Sequence, residues 1–147
     1  MNKPLTRNQT HEVAMTLIYN ALTLAKIDLS VDLEKLMVDL LEEPYDHIDL
    51  YIKEVVFMAI KHQTTIINLI NPHLVKWTFD RLNMLTQAIF LLAVSHYQYV
   101  KDVDKKVVID NAIKLAKKFV DEKDYAFINA ILDKVLWIYG TTIVPHD

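Results

Sequence analysis

The stretch Leu82-Asn83-Met84-Leu85-Thr86-Gln87-Ala88-Ile89-Phe90-Leu91-Leu92-Ala93-Val94-Ser95-His96 decides the fold. Leu82, Leu85, Ile89, Leu92 and His96 recur at helical spacing, and Phe90, Leu91 and Val94 fill the remaining faces. A helix apolar nearly all round has to be enclosed by others, so segment 80–99 is expected at the centre of the molecule. Thr78 is placed to cap it, and Lys101 to Asp104 form a charged link behind it. Beyond the link, Val108, Ala112, Ala116 and Phe119 face one way while Lys106, Asp110, Lys114, Lys117 and Asp121 face the other, which is an amphipathic helix. Ile128, Leu132, Val135 and Tyr139 define the last one.

Upstream, Thr6 with Gln9 three residues later predicts a capping pair, opening a helix through Val13, Ala14, Leu17, Ala21 and Leu24 to about Lys26. Ser30 or Asp32 caps a short helix over Leu33, Leu36, Met37 and Leu40, which Pro44 ends. Asp46 opens a long third helix through Leu50, Val55, Ile60, Ile67 and Ile70. Asn71 and Pro72 read as a cap with a first-turn proline starting a short helix. The total is seven helices, all-α. The composition agrees, because strand-rich folds need glycine for turns and this chain of 147 residues has one, Gly140.

A chain of this length forms one core, so residues 1–147 are expected to be a single domain. A weak boundary near residue 71 separates sub-bundles of about 1–70 and 71–147. Apolar residues at 52% exclude disorder, while Asp32, Asp39, Lys61 and Asp80 interrupt every potential membrane span. Met1 to Arg7 lacks a signal-peptide core and cysteine is absent, which points to the cytoplasm. The net charge of −3 argues against indiscriminate polyanion binding, yet most of the lysines fall in the second half.

No catalytic constellation is visible. Ser95 and His96 are adjacent on a helix, where side chains diverge by about 100°, and so do not form a dyad. His96 reads as a core histidine. Glu42 and Glu43 sit beside Pro44 at a helix end, in solvent. The six histidines are dispersed, His-x-x-x-His spacing is absent, and no cysteine is present for a common zinc site. The expectation is a protein that is not an enzyme and has no cofactor, metal, small-molecule substrate or membrane.

The runs Ala88-Ile89-Phe90-Leu91-Leu92-Ala93, Val107-Val108-Ile109-Asp110-Asn111-Ala112-Ile113-Lys114-Leu115-Ala116-Lys117-Lys118-Phe119 and Phe127-Ile128-Asn129-Ala130-Ile131-Leu132-Asp133-Lys134-Val135 resemble, in order and spacing, the C-terminal half of the NusB family of antitermination factors. Ala14-Met15-Thr16-Leu17-Ile18-Tyr19 is similar to that family's first helix. Pro72-His73-Leu74 through Trp77 and Arg81-Leu82 is similar to its middle connection. The resemblance implies a compact seven-helix fold of two small packed bundles. It further implies binding of boxA-type RNA together with the small-subunit ribosomal protein NusE, in ribosomal RNA transcription.

The resemblance carries over Arg7, Phe127 and Asn129 as candidates for RNA and Tyr19 for the protein partner. On their charge His11, Lys114, Lys117, Lys118 and Lys123 are further candidates for RNA, and Leu91 and His96, where the chain departs from the family, are further candidates for the partner. Phe127 would stack on a base. The family heads its first helix with arginines, whereas this chain reads Arg7-Asn8-Gln9-Thr10-His11, with one permanent cation. Leu91 stands for a common arginine and Ser95-His96 for a Tyr-Glu pair. On helical faces with apolar neighbours, Tyr19 and Phe127 read more readily as core or half-buried residues, and the lysines as a solvated face. The alternative is therefore a helical interaction module that kept the fold and lost RNA binding, as a monomer or a homodimer.

Overall fold

In the computed structural model, residues 4–27, 30–101 and 103–141 are described, with side chains as far as Leu136. Among them are seven α-helices and no strand: α1 (Arg7–Lys26), α2 (Leu33–Leu41), α3 (Leu50–Lys61), α4 (Gln63–Ile70), α5 (Met84–Ser95), α6 (Lys105–Phe119) and α7 (Glu122–Thr141). The all-α, seven-helix expectation holds, although the seven are divided differently.

Local chemistry sets most of the ends. Thr6 accepts from the Gln9 N–H at 3.1 Å and the Gln9 side chain accepts from the Thr6 N–H at 2.9 Å, completing the reciprocal cap of α1. Asp32 rather than Ser30 caps α2, accepting from the Lys35 N–H. The third helix does not open at Asp46. Residues Tyr45–His47 form a 3-10 turn, and Asp49 caps α3 through the Tyr51 N–H at 2.8 Å. Nor is it continuous: the backbone breaks at His62, which is 4% exposed and stacks on Tyr99 with ring centroids 4.0 Å apart. No breaker residue marks that position; a tertiary contact accompanies the bend. The short helix expected at Asn71 is a single 3-10 turn, Asn71–His73.

The enclosed segment begins as a helix at Met84 rather than at residue 80, because Asn83 caps it through the Leu85 N–H. From Thr86 to His96 every residue is buried. α5 packs against α1, α3, α4, α6 and α7, as a helix apolar on all faces must. Beyond Ser95 the coil widens into a π turn, His96–Val100, closed by the Lys101 N–H on the His96 carbonyl at 2.9 Å. Asp104 caps α6, whose buried stripe is Val108, Ile109, Ala112, Leu115 and Ala116. Phe119, expected on that stripe, emerges 38% exposed at the last turn. Ile128, Leu132 and Val135 are buried on α7; the side chain of Tyr139 lies outside the described residues. No described helix is long and apolar enough to cross a membrane.

Candidate nucleic-acid interface

Arg7 and His11 are one turn apart on α1, so both lie on the same stripe of the helix. That stripe borders a cleft of ≈ 390 Å³ lined by Leu5, Arg7, Thr10, His11, Asp49, Tyr51 and His96. Arg7 stands in solvent at its mouth. His11 is 5% exposed and His96 4%, their rings 6.2 Å apart. Tyr51 sits against both, edge-on to His11 at 5.6 Å, with its hydroxyl 3.3 Å from His96 Nδ1.

Two contacts one turn apart on α3 hold this corner. Ser95 donates its hydroxyl to the Val55 carbonyl at 2.9 Å, while the next residue, His96, meets Tyr51. The adjacent pair thus serves two different partners. Tyr51 shares a face of α3 with Val55, four residues on, but its meeting with His11 and His96 joins three separate elements, which no local pattern in the sequence announces.

α6 supplies the cations. Lys114, Lys117 and Lys118 are exposed and centre on the side opposite its buried stripe, as their spacing requires. Lys118 is ion-paired with Glu12 of α1, which joins the lysine face to the helix bearing Arg7 and His11. Lys117 leans over the Tyr125 ring at 5.5 Å. Lys123 is exposed in the first turn of α7.

The other candidates separate from this corner. Phe127 is half-buried, its ring held edge-to-face on Phe90 at 6.0 Å, which occupies part of the ring that would stack on a base. Asn129, two residues on, points to the opposite side of α7, into a cleft with Asp104, Lys105, Lys106, Ile109, Asp110 and Asp133. Lys105 there is committed to Asp133 at 3.0 Å. Leu91 has no accessible surface and so offers a partner none; it is a packing residue of α5. Tyr19 is half-buried against the core.

The sequence model of the NusB family matches residues 8–136. The chain belongs to the NusB family. Among curated relatives, the transcription antitermination protein NusB of Finegoldia magna is 32% identical over 136 residues, covering 90% of this chain and 94% of that one. That of Oceanobacillus iheyensis is 29% identical over 90% of this chain and 99% of its own. Solved NusB from T. maritima superposes with a TM-score of 0.75 at 25% identity, covering 93% of each chain. A chain in the crystal structure of antitermination factors NusB and NusE in complex with dsRNA shares the fold, with a TM-score of 0.75 at 24% identity over 90% of this chain and 97% of that one. In this NusB-family chain, buried His11 and His96 meet half-buried Tyr51 beside the one first-turn cation of α1, Arg7.

Proposed function

We propose that this NusB-family chain is a non-catalytic transcription antitermination factor that holds RNA and a NusE-type ribosomal protein on one helical domain. The family match over residues 8–136 carries the reading. The corner of α1 and α6 supports it: Arg7 at the cleft mouth, with Lys114, Lys117 and Lys118 on the adjoining face, gives phosphates several cations to meet. We assign RNA contact to Arg7, His11 and that lysine face, with Lys123, Phe127 and Asn129 as peripheral contacts, and the protein partner to the side bearing Tyr19 and the cleft wall formed by His96. The same reading puts its work in the cytoplasm.

Fluorescence anisotropy of a labelled boxA-type RNA and a scrambled control, with and without the NusE-type protein at two salt concentrations, tests this. Binding selective for boxA, tightened by the partner and weakened by salt, is the expected outcome. Equal or absent binding of both RNAs in every condition would sink it and favour an interaction module without RNA recognition.

A further inference from the structure

Asn71 secures both ends of the loop that follows α4. Its carbonyl accepts from the Leu74 N–H at 3.0 Å, and its Oδ1 accepts from the Phe79 N–H at 2.9 Å. Leu74 and Phe79 turn inward, 8% and 1% exposed, with Phe79 against Phe90. The residues between them are held outside as a consequence. Val75 is 95% exposed and Trp77 56%. A fold ordinarily covers much of a tryptophan's large apolar face. Here an anchored loop displays it.

Cations surround it. Lys76 precedes Trp77 and Arg81 follows the loop, and both are exposed. The Thr78 hydroxyl, and more weakly the charges of Arg81 and Lys26, hold the Asp80 carboxyl below the usual carboxylate range, so the end of α1 lies within electrostatic reach of the loop. Ile27, 62% exposed, adds apolar surface there. Among the described residues, Lys26, Lys76 and Arg81 enter no ion pair with a carboxylate. Among the described residues the acid in this group is Asp80, and it takes the Thr78 hydroxyl. A chain of net charge −3 thus carries a local excess of positive charge around an exposed indole.

We infer that the loop from Val75 to Arg81, with Lys26, is a second contact surface for single-stranded RNA, Trp77 stacking on an unpaired base while Lys26, Lys76 and Arg81 meet phosphates. The ligand class rests on the RNA-binding reading above, and the place is new to it. α1 has 20 residues, and at 1.5 Å per residue that sets this surface about 30 Å from Arg7. Protein interfaces deplete lysine, and two of the three cations here are lysines. Bases in a duplex are stacked on each other, so the exposed ring selects unpaired RNA.

The chain has two tryptophans, so Trp137→Phe leaves Trp77 as the sole indole reporter. The full chain is titrated with a 12-nucleotide oligouridine, a duplex RNA of equal length, polyphosphate and the NusE-type protein. Total RNA binding is followed in parallel by anisotropy, with further variants made on the natural Trp137 background. The oligouridine should quench Trp77 in step with binding. Trp77→Ala should weaken oligouridine binding about 5- to 100-fold and Trp77→Phe much less. Replacing Lys26, Lys76 and Arg81 together by Gln should lower the slope of log affinity against log salt by about two. RNA bound with Trp77 emission and affinity indifferent to these changes overturns this surface and leaves the antitermination reading standing. No RNA bound by the unaltered chain overturns both. Equal quenching by duplex or polyphosphate overturns the stacking, and a response to the protein alone makes this a protein interface instead.

Discussion

Glu42 ends α2 in the left-handed region, at φ 54° and ψ 39°, with its N–H on the Val38 carbonyl. There the Cβ of any residue but glycine crowds the backbone, at a cost of about 1–2 kcal/mol. Glycine's extra freedom when unfolded takes back about 0.5–1 kcal/mol. Glu42→Gly should therefore raise stability by roughly 0.5–1 kcal/mol, read as a higher urea midpoint at unchanged slope. Single residues also mark where sequence reading reaches its limit. The lysine face of α6 follows from helical spacing alone, and so does the common stripe of Arg7 and His11. The meeting of Tyr51 with His11 and His96 does not, because it joins three elements whose phases are set independently. Leu91 illustrates the converse: a position that the family resemblance offers to a partner is wholly enclosed here.

Among the elements, those with short-range chemical signals at their ends were legible. α1 has a reciprocal cap at Thr6 and Gln9, and its span matches the reading to Lys26. Thr6→Ala should cost about 1 kcal/mol in thermal or urea unfolding, since it leaves the Gln9 N–H without its cap. Elements shaped by distant contacts were not legible. Ile60-Lys61-His62-Gln63 contains no breaker, yet the helix bends there, where His62 stacks on Tyr99. Asn71 looked like a cap for its own short helix, but its side chain accepts from Phe79, eight residues on. No local pattern announces such a partner.

For the molecule as a whole, α5 is the element that most of the others share. Its buried apolar residues belong to one cluster that runs from Ala14 on α1 to Leu136 on α7. A continuous core of that kind is expected to melt as one unit. Urea unfolding followed by far-UV circular dichroism and by tryptophan fluorescence should give coincident single transitions; a separation of the two curves would show independent units. The π turn after Ser95 has an evolutionary consequence. A turn closed from residue i to i−5 contains one residue more than an α turn. A relative that continues this helix as plain α would reach the start of α6 one residue sooner. Aligning the two without a gap near His96 would then rotate every later position by about 100°, and pair lysines that share no face.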